Sequence, residues 1–103
     1  MIIRMSRWVT RPDQDRLALE LWWNGVRAVW ERQPGLVHVH LLARRDSRDR
    51  MTLSVWRTEE DYLRFRTSDD LARVAQSFDE VYDHDGWPQA EDWSVLSEDW
   101  PVA

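Results

Sequence analysis

His38 and His40 stand two residues apart, Tyr62 lies some twenty residues on, and eight tryptophans are spread over 103 residues. On an extended strand, an i, i+2 spacing turns both imidazoles to one face. Histidine is the side chain suited to moving protons near neutral pH, so either residue is a candidate general base toward a phenol or an acidic C–H. The same spacing also suits two ligands of a metal, but no third or fourth ligand accompanies them, and Asp83, Asp85, Asp92 and Asp99 match no metal-binding loop. No metal is therefore expected. His84, between Asp83 and Asp85, reads as a solvated loop residue. The Tyr62 hydroxyl is a candidate hydrogen-bond partner for a ligand. Each tryptophan joins a broad apolar face to a single N–H donor, which suits cores, interfaces and flat aromatic ligands alike.

Composition removes several chemistries. With no cysteine, disulfides, thiolate catalysis, Cys-ligated zinc and iron–sulfur clusters are excluded. All fourteen basic residues are arginine, so a lysine Schiff base is excluded too. The net charge of −5 argues against nucleic acid as a partner. Hydrophobic residues at 43% and charged residues at 32% fit a folded domain rather than a disordered chain. No apolar run approaches the roughly 20 residues that span a bilayer, and the N-terminus lacks the pattern of a secretory leader, so no membrane association and a cytoplasmic location are expected. Length predicts one domain over 1–103, with a core over about 2–97 and a tail over 98–103.

The elements that must position these residues follow from periodicity. Residues 2–10 alternate as a first strand. Thr10, Pro12 and Asp13 mark a helix start, and Leu19, Trp22, Trp23, Val26 and Trp30 predict an amphipathic helix over 12–33. Gly25 within it costs about 1 kcal/mol relative to Ala. Pro34-Gly35 stops the helix. Strands over 36–44 and 51–57 form a hairpin across a polar turn. Thr58 to Asp61 resembles a capping box opening a helix over 59–66. Thr67, Ser68 and Asp69 start another, with a stripe of Leu71, Val74, Ala75, Phe78, Val81 and Tyr82. Residues 84–88 read as a loop and 91–97 as a last strand. The order β-α-β-β-α-β predicts an α+β, ferredoxin-like domain.

Alternation divides the sheet into two faces. Ile3, Met5, Val9, Val37, Val39, Leu41, Met51, Leu53 and Val55 share one. Arg4, Ser6, Trp8, His38, His40, Thr52, Ser54 and Trp56 share the other. Helices cover one face only, and an uncovered apolar face marks an interface, which predicts a homodimer with sheets packed face to face. If the mixed face meets the helices, it forms an aromatic pocket with convergent polar groups. Trp8, Trp56, Thr52 and Ser54 on the sheet, with Trp23 and Phe78 on the helices, are then the candidate lining.

Gln33-Pro34-Gly35-Leu36, the hairpin, Leu53-Ser54-Val55-Trp56-Arg57-Thr58-Glu59-Glu60-Asp61, Phe65 and Thr67-Ser68-Asp69 together resemble the antibiotic biosynthesis monooxygenase family over roughly 2–97. The resemblance implies a ferredoxin-like subunit forming a dimeric α/β barrel, with its pocket between sheet and helices. One branch of that family oxidises phenolic, anthrone-type polyketide intermediates to quinones with dioxygen and no flavin or metal. Its pocket uses a strand Asn and Trp, a Tyr six residues past that Trp, and a helix Arg. Trp56 and Tyr62 stand at the matching spacing; Thr52 holds the Asn position, and Gln76 falls near the Arg position with Arg73 one turn earlier. A haem-degrading branch needs a helix His and a first-strand Asn, where this chain has Ala75 and Arg7, so haem is not expected.

The resemblance thus implies a cofactor-independent monooxygenase that takes dioxygen as co-substrate and acts on a polycyclic or phenolic aromatic. His38, His40 or Tyr62 would assist deprotonation, and Trp56, Thr52, Ser54, Trp8, Trp23, Phe78 and Gln76 would bind substrate. The missing Asn and Arg keep open a non-oxidative cyclase, isomerase or decarboxylase on a related intermediate. A non-catalytic dimer that binds an aromatic ligand is the third reading.

Overall fold

The structure, a computed structural model, describes residues 1–83 and 90–97. Strand β1 (Ile2–Thr10) leads through a turn to α1 (Asp15–Leu21), a π-helical segment (Trp22–Val26) and α2 (Arg27–Glu31). Strands β2 (Leu36–Ala43) and β3 (Asp49–Trp56) form the hairpin. Helices α3 (Glu59–Arg66) and α4 (Asp69–Phe78) follow, then β4 (Tyr82–Asp83) and β5 (Ala90–Ser94). The sheet order is β2-β3-β1-β4, every pairing is antiparallel, and β5 also pairs with β1. β4 and β5 thus share the outer side of β1, one at each end. This is the α+β, ferredoxin-like arrangement. No described helix is long and apolar enough to cross a membrane. The expected loop over 84–88 and the tail over 98–103 lie outside the described residues.

Local signals explain most element ends. Gly35 has φ +79, in the left-handed region, and a Cβ there would overlap the Asp61 side chain, so this turn requires glycine. The Thr58 hydroxyl accepts from the Asp61 N–H at 3.1 Å and donates to the Asp61 carboxylate at 2.9 Å, closing the start of α3. The Ser68 hydroxyl accepts from the Leu71 N–H at 3.2 Å and starts α4. Caps of this kind contribute about 1 kcal/mol each.

The long first helix differs from its expected form in one respect. Its buried residues are Ala18, Trp22, Val26 and Trp30, a strict series of fours. In a regular α-helix such a series drifts around the axis; the wider π turn in the middle counters the drift and keeps all four against the sheet. Leu19 and Trp23, expected on the stripe, are left in solvent, Trp23 at 58% exposure. Gly25 lies in the π turn with open space around it, so no close approach explains it.

The core lies between sheet and helices. Trp56 is fully buried, with Phe65 stacked 4.9 Å from it and Tyr62 and Trp30 at 6.3 and 6.4 Å. A second cluster joins Trp8 and Phe78, edge to face at 4.6 Å, with Tyr82. Val81 and Tyr82 are buried as the spacing predicts, but they lie beyond the end of α4, and Tyr82 belongs to β4.

The two-faced sheet is confirmed on β1 and β3 and corrected on β2. Leu36 pairs with Trp56, but His38 pairs with Val55, so a bulge at Val37 inserts one residue into the ladder. One extra residue exchanges the faces of everything after it. Val39 and Leu41 therefore turn toward the helices and pack on the core. His38 and His40 turn outward, exposed, beside Leu53, Val55 and Ile3. Their rings stack 6.0 Å apart.

Candidate functional site

A cavity of about 180 Å³ lies between the sheet and the helices. Its floor is Arg4, Ser6 and Trp8 of β1 and Thr52 of β3; alternation along each strand brings them to one side. Trp30 of α2 forms one wall. Leu71, Val74, Ala75 and Phe78 of α4, at helical spacing, close the top. A cavity of about 150 Å³ lined by aliphatic groups accepts a benzene ring, so this volume suits one ring or a small fused pair.

Its polar atoms are unusual. The Trp8 Nε1, Trp30 Nε1 and Thr52 Oγ1 atoms are buried and have no hydrogen-bond partner among the described residues. Each such group costs on the order of 1–3 kcal/mol. All three belong to residues that line this one small cavity. Thr10 Oγ1 is buried and unpartnered as well, outside this lining. Arg4 adds a positive charge at the edge, where its Nε donates to Ser6 Oγ at 3.3 Å. Among the described residues, the lining holds neither histidine nor carboxylate.

A wider recess of about 440 Å³ shares Arg4, Leu71 and Ala75 with this cavity and extends toward Arg66, Ser68 and Asp69. Beside it, the Tyr62 hydroxyl donates to Asp92 at 2.6 Å, and Asp92 lies 4.0 Å from Arg66. Burial, then the bond to Asp92, raises the Tyr62 pKa above that of a free tyrosine, while Arg4 pulls the other way. Tyr62 therefore stays neutral near pH 7, with its proton directed at Asp92. Burial pushes Tyr82 up to about 12.

The family model for antibiotic biosynthesis monooxygenases matches residues 1–77. The chain belongs to this family. No curated protein sequence matches it. Among solved structures, the monooxygenase from the ActVA-Orf6 gene of Streptomyces coelicolor, in complex with nanaomycin D, superposes with a TM-score of 0.78 at 17% identity, over 98% of this chain and 92% of that one. SnoaB, a cofactor-independent oxygenase from Streptomyces nogalater, gives 0.75 at 16%, over 97% of each chain. Rv0793 from Mycobacterium tuberculosis gives 0.73 at 14%, over 95% and 97%. At these identities the likeness is one of fold.

Against this monooxygenase fold, the expected site residues separate into three groups. Trp8, Thr52 and Phe78 line the cavity. Trp56 and Ser54 lie on the same sheet face but satisfy each other, the indole N–H donating to Ser54 Oγ at 3.0 Å within the core. Tyr62 is buried nearby with its hydroxyl engaged by Asp92. Three expectations of position are corrected. His38 and His40 are on the opposite face, because of the bulge. Trp23 is on the outer surface with the Arg27 guanidinium 4.5 Å over its ring, because the buried stripe is narrow. Gln76 is exposed on α4, because Val74, Ala75 and Phe78 take the inward positions.

Arg4 and Trp30 also line the cavity, and the reading of motifs missed both. The signal for Arg4 was present: a charge on the sheet face that the helices cover. Among the described residues, no group of three or more His, Asp or Glu side chains is placed to hold a metal.

Proposed function

We propose that the protein is a cofactor-independent monooxygenase that oxidises a flat phenolic aromatic of polyketide type with dioxygen. The observation that carries this reading is the small aromatic-walled cavity with three partnerless buried polar atoms, on Trp8, Trp30 and Thr52. Family membership and the cofactor-independent oxygenase among the structural neighbours support the same chemistry.

In the proposed reaction the substrate supplies the electrons. Loss of a proton gives a delocalised oxyanion, and the tryptophan N–H groups and the Thr52 O–H stabilise that charge in a water-poor space. The anion reduces dioxygen. The ring CH2 carbon then loses two hydrogens and gains one oxygen atom, and the second oxygen leaves with both hydrogens as water. Among the described residues the cavity lining holds donors and no histidine or carboxylate, and this reading assigns those residues to binding the anion rather than to taking its proton. Phe78 and Trp8 hold the ring; Trp56 and Ser54 hold the floor that carries Thr52.

The reading includes a homodimer. The outer sheet face carries Ile3, Met5, Met51, Leu53 and Val55, with Val9, Leu42 and Trp93 well exposed around them. A second copy covers this face, in keeping with its apolar character. The cell compartment assigned is the cytoplasm.

The test is oxygen uptake with 1,8-dihydroxyanthrone, one end of which would fill the cavity while the rest extends into the adjoining recess, corrected for its spontaneous oxidation. Acceleration that survives chelation and is lost without oxygen is expected. Turnover without oxygen would replace this reading with a non-oxidative enzyme on the same scaffold, and binding without turnover would leave a ligand-binding dimer.

A further inference from the structure

We infer that the substrate carries a carboxylate arm, and that Arg4 and Arg66 receive it at the mouth while the ring occupies the inner cavity. The inference rests on the aromatic-ligand reading above.

Two arginines in the described part of the sheet are half-buried, and they differ. Arg50 is paired, its Nη2 lying 2.9 Å from Asp15. Arg4 has no ion-pair partner among the described residues; its one side-chain bond runs from Nε to Ser6. A charge taken partly out of water without a counter-charge is costly. The carboxylate that could neutralise it is close. Asp92 stands directly across from Arg4 in the β1–β5 ladder. Asp92 is instead committed to Tyr62 at 2.6 Å and to Arg66 at 4.0 Å. Arg4 therefore keeps both terminal NH2 groups for a ligand, the fork that binds a carboxylate through two parallel bonds.

Position separates this charge from the ring site. Arg4 borders both the inner cavity and the wider recess, whereas Trp30 and Thr52 border the inner cavity and not the recess. Oxygens on the ring meet Trp8, Trp30 and Thr52. An acidic arm leaving the ring reaches Arg4 first, then Arg66. Asp69 borders the same recess and opposes an anion, so its removal strengthens the effect.

The experiment compares 1-naphthylacetic acid with 1-naphthylacetamide, which share ring and shape and differ in charge, by quenching of tryptophan fluorescence at pH 7. The acid is expected to bind the full chain about tenfold tighter than the amide, and Arg4→Gln to reduce this preference to within about twofold while amide binding persists. Arg4→Lys keeps the charge without the fork and retains part of the preference. Arg66→Gln lowers it about threefold, and Asp69→Asn raises it. Equal binding of acid and amide to the unaltered protein overturns the carboxylate assignment and leaves the aromatic site standing. Binding of neither overturns both. A preference unchanged in Arg4→Gln and Arg4→Lys, with the amide still bound, shows that Arg4 is not the receiving group.

Discussion

On β1 and β3 the two faces of the sheet depart from an ordinary half-buried sheet, which turns apolar residues to the helices and polar ones to water, as β2 does with Val39 and Leu41 inward and His38 and His40 outward. Here the helix-covered face carries Arg4, Ser6, Thr52 and Ser54 among its aromatics, and the uncovered face carries Ile3, Met5, Leu53 and Val55. Each departure has its own meaning. Polar groups without partners around a cavity leave bonds for a ligand to complete; Thr10, unpartnered but away from the cavity, does not. Aliphatic groups kept in the open mark a place where another surface completes the burial. Ser54, satisfied by Trp56, shows what a purely structural polar group looks like on the same face as Thr52, which has no partner.

The comparison can be broken most forcefully on the covered face. Trp56→Ala removes the fully buried centre of the core and should cost about 3–5 kcal/mol in urea unfolding, against under about 0.5 kcal/mol for Trp23→Ala on the surface. On the open face, Leu53→Arg places a charge where a second copy should pack. The dimer dissociation constant, by sedimentation, should rise on the order of a hundredfold, with the monomer still folded.

The Tyr82 hydroxyl tests the covered face by pH. Its folded pKa of about 12 exceeds the value of 10 for an exposed tyrosine, because burial disfavours the phenolate. The stabilisation is fully present below pH 10 and is lost as pH rises toward 12, about 2–3 kcal/mol in all. Tyr82→Phe should flatten that alkaline loss in denaturation curves.

Trp30→Phe sharpens the comparison further. Deleting an unpartnered donor should leave stability unchanged or raise it by about 1 kcal/mol, while 1-naphthylacetamide binding weakens several-fold. A donor that served only the fold would show the reverse. The smallest expected effect belongs to the outward histidines: His38→Gln with His40→Gln should leave kcat/KM within about twofold.

Much of this was legible in the chain because its causes are local. Alternation in 2–10 and 51–57 assigns the faces of β1 and β3, Pro34-Gly35 ends the first helix, and Thr58 and Ser68 start the next two. Trp8, Thr52 and Phe78 fall on inward positions by period alone, and all three line the cavity. The histidines were misplaced because strict alternation from Leu36 has no means of registering a bulge, and a single inserted residue reverses a strand. Trp23 was misplaced because a helical stripe read from sequence assumes a regular turn, and this helix widens at 22–26.

What the sequence determined by itself was the set of elements, their order and the presence of a polar face within an aromatic protein, since propensity, capping and periodicity act over a few residues. Tertiary structure decided which polar groups remained unsatisfied. Asp92 could serve Arg4 across the ladder or Tyr62 from α3, thirty residues away in the chain, and only packing brings that phenol within 2.6 Å. With Asp92 turned to Tyr62 through one oxygen and to Arg66 through the other, Arg4 is left without an ion-pair partner among the described residues beside the cavity.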